Sequence, residues 1–294
     1  MIHVPVLLSE TLELLSPAPG ESYLDLTAGY GGHASAVLKA TKADSKIILV
    51  DRDQYAIDHL TSQVALKNAR IIKDNFLNAV QILGQEGQLF DLVLADLGVS
   101  SPHLDIANRG FSFLNDGPLD MRMDQSDQLT AAEIVNSESE AYLARILLEY
   151  GEEGQYRRIA KSIVEHRPYK TTHELAKIIE SSIGWRVKGH HPATQTFQAL
   201  RIAVNGELDL LERMIPRALK LLAPGGRFAI ITFHSLEDRV VKRAFADVCS
   251  NGYDAEYQLL VRKPVTATHS EIVNNPRARS AKLRALVKIK TKGP

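Results

Sequence analysis

Short apolar segments alternate with helical patterns through the first hundred residues. Tyr23–Leu26, Lys46–Val50, Ala69–Lys73 and Phe90–Ala95 read as strands, with helices at His33–Ala40, Tyr55–Leu66 and Leu77–Gly84 between them. Such strand–helix repetition builds a parallel sheet covered by helices on both faces. From about Leu104 to Ala203 the two-residue alternation stops. Apolar residues recur there every three or four positions, in the stripes Leu143-Ile146-Leu147-Tyr150, Ile159-Ile163-Val164, Leu175-Ile178-Ile179 and Phe197-Leu200-Val204. Thr130 with Glu133, and Thr171 with Glu174, have the spacing of a capping box, in which each side chain satisfies a backbone donor of the other's turn. The α/β pattern then returns. A helix runs through Leu208, Leu211, Ile215 and Leu222, which Pro216 should kink unless it lies near a helix start; Ala223-Pro224-Gly225-Gly226 turns the chain into a strand at Arg227–Phe233. A helix at Leu236–Val248 and strands at Tyr257–Arg262 and Leu283–Ile289 complete the sheet. The predicted class is α/β with an inserted all-helical domain: residues 1–103 and 204–294 form the sheet domain, and residues 104–203 the insertion.

Composition narrows the class without naming an activity. With 294 residues, 45% hydrophobic and 24% charged, the chain is an ordinary globular protein rather than a disordered, collagenous or disulfide-rich one. Its one cysteine, Cys249, cannot form an internal disulfide, so no oxidising compartment is needed and a cytoplasmic location is expected. No apolar run approaches the length of a membrane span and no basic leader precedes one, so neither anchor nor signal peptide is expected. Charge adds one feature. The 35 basic and 35 acidic residues cancel, yet Arg262–Pro294 holds nine Lys or Arg against one acid, Glu271. A basic tail on an acidic body suits a polyanionic partner, although a merely solvated basic terminus has the same composition.

Candidate chemistry concentrates at the strand ends. Leu24-Asp25-Leu26-Thr27-Ala28-Gly29-Tyr30-Gly31-Gly32-His33 passes from a strand through a glycine-rich turn into a helix, a geometry that lets backbone approach a ligand at the carboxyl edge of a Rossmann-like sheet. Asp51, ending the second strand, stands where an acid accepts hydrogen bonds from the ribose hydroxyls of a nucleoside. A nicotinamide dinucleotide and S-adenosylmethionine both fit that description. A dinucleotide loop wants a third glycine where Ala34 stands, and Asp25 would repel a pyrophosphate but suits a sulfonium and an amino group. Asn75-Phe76 offers an amide and an aromatic face for an adenine, and Asp96 ends the fourth strand. Phe76 is equally readable as core.

His3-Val4-Pro5-Val6-Leu7-Leu8, Gly31-Gly32-His33, Asp96-Leu97-Gly98-Val99-Ser100-Ser101-Pro102, Arg109-Gly110-Phe111-Ser112-Phe113 and Gly117-Pro118-Leu119-Asp120-Met121-Arg122-Met123-Asp124 resemble the bacterial 16S rRNA cytosine N4-methyltransferase family. So do His191-Pro192-Ala193, the block from Phe197 to Asn205, Phe233-His234-Ser235-Leu236-Glu237-Asp238-Arg239 and Asn275-Pro276-Arg277-Ala278-Arg279-Ser280. The resemblance runs nearly end to end. It implies a Rossmann-like S-adenosylmethionine-dependent methyltransferase sheet, transfer of a methyl group to the exocyclic amine of a cytidine in the ribosomal decoding centre, and 16S rRNA of the small subunit as partner, with room for a homodimer. It assigns the cofactor to Gly31, Gly32, His33, Asp51, Phe76 and Asp96. His103 stands where the family usually has Gln, and is the cofactor contact expected there.

A cytosine amine is a weak nucleophile because its lone pair is delocalised into the ring, so a group accepting its hydrogen bonds while aiming it at the methyl donor is required. Asp96 and the Ser100-Ser101-Pro102 turn are the candidates; a capped turn is the plain structural use of those serines. Phe111 and Phe113 are candidates to stack a base, or loop anchors. RNA contacts are expected from Arg109, Arg122, Arg201, His234, Arg277, Arg279, Lys282 and Arg284. Methylation at ring carbon generally needs a thiolate, and Cys249 lies in a late helix far in sequence from every strand-end motif. His234-Ser235 reads as a helix start with Ser235 as cap and Asp238 three residues on, rather than a hydrolase pair. Asp116, Asp120 and Asp124 lack a ligand-rich loop and His190-His191 lacks further ligand spacing, so no metal is expected. A nicotinamide-dependent oxidoreductase and a non-catalytic RNA-binding assembly factor are the competing readings.

Overall fold

The computed structural model describes residues 5–42, 46–99, 101–185, 191–250 and 255–290. In chain order, α1 (Leu8–Leu15), β1 (Tyr23–Asp25), α2 (Gly32–Thr41), β2 (Ile47–Asp51), α3 (Gln54–Ser62), β3 (Arg70–Lys73), α4 (Phe76–Gln85) and β4 (Phe90–Asp96) come first. Then follow α5 (Ser101–Asp105), α6 (Ala131–Ser137), α7 (Glu140–Glu149), α8 (Tyr156–Glu165), α9 (Thr172–Ile183) and α10 (Thr194–Asn205). The last third carries α11 (Glu207–Lys220), β5 (Leu222–Thr232), α12 (Ser235–Cys249), β6 (Tyr257–Leu259), β7 (Val265–Thr266), α13 (His269–Asn274) and β8 (Lys282–Lys288). Two units result, one of residues 1–98 with 208–294 and one of residues 99–207.

In the first unit the strands lie in the order β3-β2-β1-β4-β5-β8-β6, with β7 added to β8. β1 to β5 pair in parallel, and β8 runs antiparallel to β5, β6 and β7. Side-chain alternation supplies two cores. Leu24, Ile48, Val50, Val93 and Ala95 face α4, α11 and α12 through Leu83, Ile215 and Phe245, whereas Tyr23, Leu49, Leu92, Leu94 and Ile231 face Leu15, Ala34, Val37 and Leu60. A buried aliphatic side chain contributes roughly 1.5–3 kcal/mol, which is why the interior strands are apolar on both sides. The order reverses where β1 meets β4, so the connections leaving these strands diverge and open a crevice at their carboxyl ends. Asp25, Asp51 and Asp96 are the terminal residues of β1, β2 and β4.

The second unit packs α6 to α10 around one core that includes Ile134, Leu143, Ile146, Ile163, Leu175 and Leu200. Both capping boxes form: Thr130 caps α6 with Glu133, and Thr171 caps α9 with Glu174. Three details depart from the sequence pattern. The turn at 223–226 is a bulge inside β5, because Leu222 already pairs with Phe90 and the register shifts between Phe90 and Leu92; Gly225 at φ +77° makes the turn possible. α11 ends at Lys220, and Leu222, read as its last apolar position, instead begins β5. α1, β7 and α13 have two to eight residues, too few for a periodicity to register.

Candidate active site

At the carboxyl edge of β1 the chain leaves the sheet as Leu26–Gly31, and Gly31, at φ +75°, opens α2 with no side-chain cap. The two following positions are packed from below. A Cβ on Gly31 would lie 2.9 Å from a methyl of Leu66, and one on Gly32 would lie 2.4 Å from Pro5 Cγ. The glycines therefore do more than permit a turn: they let the N-terminal segment and the 3-10 turn at 64–66 press against the loop. That segment is itself held, because the Glu271 carboxylate accepts the Leu7 amide at 2.7 Å.

Asp51 is oriented by backbone. One carboxylate oxygen accepts the Gly29 amide and the other accepts the Asp53 amide, both at 2.8 Å. The group is thereby tied to the glycine loop and to the start of α3. A carboxylate has roughly four acceptor directions, and two fixed amides set the plane in which it presents them to a diol. One strand further out, Asp74 accepts the Asn75 amide at 2.7 Å, Asn75 caps α4, and Phe76 begins that helix half-buried against the core.

Deeper in, the buried side chains of Asp25 and His33 lie beside the partly exposed Asp96. Asp25 is 1% exposed; it accepts the Tyr23 hydroxyl at 2.8 Å and the Thr27 amide at 3.2 Å. Burial outweighs those bonds and the nearby His33 and pushes its pKa up to about 6. Tyr23 is raised well above the usual phenol range, by burial first and then by Asp25 and Asp96. His33, 7% exposed, has its Nε2 3.6 Å from Asp96 Oδ2. Burial alone would lower its pKa, but Asp96 and Asp25 together leave it raised. Neither ring nitrogen of His33 nor Oδ1 of Asp96, all buried, makes a hydrogen bond of ordinary length among the described residues, the Asp96 carboxylate and the Val6 backbone being the nearest polar groups to the imidazole. Orphaned polar atoms in a dry position call for a ligand or ordered water. The Asp96 backbone is fixed meanwhile, its amide donating to Thr27 Oγ1 at 2.6 Å. A Gly98 Cβ would come within 3.1 Å of the Phe233 ring, which closes that side of the β4 end.

The other expected residues have varied placements. Ser100 lies outside the described residues; Ser101 and Pro102 are the first two residues of α5. His103 is buried in the helical unit with its ring 4.8 Å from that of Phe111, which makes Phe111 an interior anchor. Arg109, expected to meet phosphate, is 2% exposed, and its Nη2 donates to the carbonyls of Arg122 at 3.1 Å and Met123 at 2.9 Å. Arg122 grips both oxygens of Asp120, at 2.9 and 2.7 Å, and donates to the carbonyls of Gln125 and Asp127. Arg201 pairs bidentately with Glu207 at 2.9 and 2.8 Å. These three cations brace the helical unit from within. Arg277 and Arg279 lie exposed on a 3-10 turn at Pro276–Ser280, whereas Lys282 and Arg284 both bond Asp238. The acids of the 116–124 loop have separate partners: Asp116 accepts the His173 amide, Asp120 holds Arg122, and Asp124 accepts Ser126.

Two expectations shift by one residue or more. The cap of α12 is His234, whose Nδ1 accepts the Glu237 amide at 3.4 Å, while the Glu237 carboxylate accepts the Phe233 and His234 amides at 2.8 and 3.3 Å. Ser235 is the first helical residue, and Asp238 serves the ion pairs with β8. Pattern reading also passed over Tyr23 and Thr27, although both stand two residues from Asp25 and so share its side of the strand or its exit.

Comparison with known proteins adds a family to this geometry. A protein of Symbiobacterium thermophilum named ribosomal RNA small subunit methyltransferase H is 45% identical over 307 aligned positions, covering 98% of this chain and 96% of the relative. A protein of the same name from Nostoc sp. is 48% identical over 286 positions, covering 96% and 91%, and one from Syntrophotalea carbinolica is 46% identical over 304 positions, covering 97% of each. The family model described as the MraW methylase family matches residues 1–289. A switch-point crevice lined by Asp25, Asp51 and Asp96 thus sits in a chain that, by agreement over nearly its whole length, belongs to the MraW methylase family.

Proposed function

We propose that this methylase transfers a methyl group from S-adenosylmethionine to N4 of a cytidine in the decoding centre of 16S rRNA, acting on the small ribosomal subunit. The observation that carries the cofactor reading is the cluster of Asp25, His33 and Asp96 at the carboxyl ends of β1 and β4, where buried atoms of His33 and Asp96 make no hydrogen bond of ordinary length beside the buried carboxyl of Asp25. A ligand bearing a sulfonium and an ammonium matches that acid-rich, partner-poor edge; a pyrophosphate does not. The cofactor, when bound, supplies an electrophilic methyl group. Asp51 takes the ribose hydroxyls, the Gly31-Gly32 backbone borders the cofactor with Leu66 and Pro5 packed behind it, and Phe76 lies against the adenine.

The remaining chemistry belongs to the protein. Asp96 accepts a hydrogen bond from the cytosine amine, which returns lone-pair density to nitrogen and aims it; the carboxylate takes the proton as the nitrogen–carbon bond forms. The Ser100-Ser101-Pro102 segment orients the base in this reading, and Arg277 and Arg279 meet backbone phosphates. The substrate assignment is supported by relatives whose names specify the small-subunit ribosomal RNA.

Incubation of small-subunit particles with tritium-labelled S-adenosylmethionine, followed by nucleoside digestion, tests the whole reading. Label is expected in N4-methylated cytidine. Label in C5-methylated cytidine, or in another nucleoside, overturns the amine assignment. Tight cofactor binding with no transfer marks an assembly factor, and preference for a nicotinamide dinucleotide restores the oxidoreductase.

A further inference from the structure

An aromatic row in the helical unit is used by none of the chemistry above. Phe197, in α10, is buried and presents an edge to Phe113, with ring centres 5.0 Å apart at 79°. Phe113 stacks on His191 at 4.4 Å and 28°, and His191 meets Trp185 at 5.1 Å and 76°. The row passes from the core to the surface, since Phe113 and His191 are partly exposed and the Trp185 indole is 57% exposed. Its rings are held in place. His191 Nδ1 accepts the Ala193 amide at 3.1 Å, and the Trp185 indole N–H donates to the Glu180 carboxylate in the last turn of α9.

A large aromatic ring left more than half in water, yet fixed by its neighbours, gains little for the fold. It is suited to a flat partner that brings its own π-face. We propose that Trp185, backed by His191 and Phe113, is a stacking platform for an unpaired base of the RNA substrate. This rests on the ribosomal-RNA reading above and adds a binding site to it. Proteins read RNA mostly in unpaired segments, whose splayed bases lack the stacking partners that an exposed indole supplies. A rigid platform also costs less ordering on binding than a free side chain would.

Trp185 is the chain's one tryptophan, so indole emission from the full-length protein reports this ring alone. The probes are a short fluorescein-labelled single-stranded RNA and the same RNA annealed to its complement, with methyl transfer to small-subunit particles measured in parallel. Single-stranded RNA is expected to quench the indole saturably and the duplex much less. By anisotropy, Trp185→Ala should weaken single-strand binding at least about fivefold, and Trp185→Phe should stay within about twofold of the parent. Unchanged affinity in Trp185→Ala, or emission indifferent to RNA, overturns the platform and leaves the ribosomal-RNA reading standing if transfer proceeds. Emission that instead follows protein concentration, with self-association, makes the surface a contact between copies and also overturns it. Failure of the parent protein to transfer methyl or to bind either RNA defeats the functional reading and the platform together.

Discussion

Asp25 shows how one buried acid couples folding to the site. Its pKa of about 6 lies above the ordinary value of 3.8 because burial disfavours the charged form, and Tyr23, Thr27 and His33 offset only part of that penalty against the further push from Asp96. Between those two pH values the folded chain holds a proton that the unfolded chain has lost, so the contribution of Asp25 to stability falls as pH rises through the window and is level above it. Asp25→Asn should therefore gain stability relative to the parent between about pH 4 and 6, a difference that thermal melts across that range would reveal; a constant offset would contradict it. The same substitution should weaken S-adenosylmethionine binding above pH 6, where the parent carboxyl is ionised, and an equilibrium titration at pH 7.5 against pH 5 checks this. A second residue-scale expectation concerns Gly32. Its missing Cβ is where Pro5 sits, 2.4 Å away, and a proline ring has little freedom to yield. Gly32→Ala should cost about 1–3 kcal/mol in chemical denaturation and loosen cofactor binding with it.

At the scale of elements, the strands and helices of the sheet unit were legible because short apolar runs alternate regularly with helical spacing along the chain. Tyr23, Ile47 and Phe90 begin strands within a residue of where apolar runs begin, and the Thr130 and Thr171 boxes form as spaced. The α12 boundary was less so. Histidine is a weak signal for a cap beside an adjacent serine, and only the reach of Glu237 back to the Phe233 and His234 amides decides between them. The arginines show the same limit: charge is visible in a sequence, but whether Arg109 faces water or the carbonyls of Arg122 and Met123 depends on a loop fold that no local pattern encodes. Removing the α12 cap with His234→Ala should cost about 1 kcal/mol, or about 2–4 °C in melting temperature for a chain of this size. RNA affinity, measured by anisotropy, should stay within about twofold if the imidazole serves mainly as the cap.

For the molecule as a whole, the charge is divided along the chain rather than balanced locally, and the tail's cations differ in exposure. Lys282 and Arg284 are tied to Asp238 on α12, where their bonds outweigh the effect of partial burial and hold that carboxyl below the usual carboxylate range. Arg277 and Arg279 lie exposed one turn earlier, with Ala278 buried between them as the anchor. Two cations fixed on a short 3-10 turn make a compact phosphate contact, and each phosphate neutralised releases condensed counterions. In this reading the logarithm of the RNA binding constant falls with the logarithm of salt concentration by roughly 0.7 to 0.9 for each contact. Reversing both charges, Arg277→Glu with Arg279→Glu, should lower that slope by about 1 to 2 and weaken binding most at low salt. Substituting Lys282 or Arg284 should act differently: it breaks an internal pair that joins α12 to β8, so the loss should appear in thermal melts and the salt slope should stay nearly as in the parent. A slope unchanged in the Arg277/Arg279 double variant, measured by anisotropy over a range of salt, would show that the excess positive charge of the tail serves solvation alone.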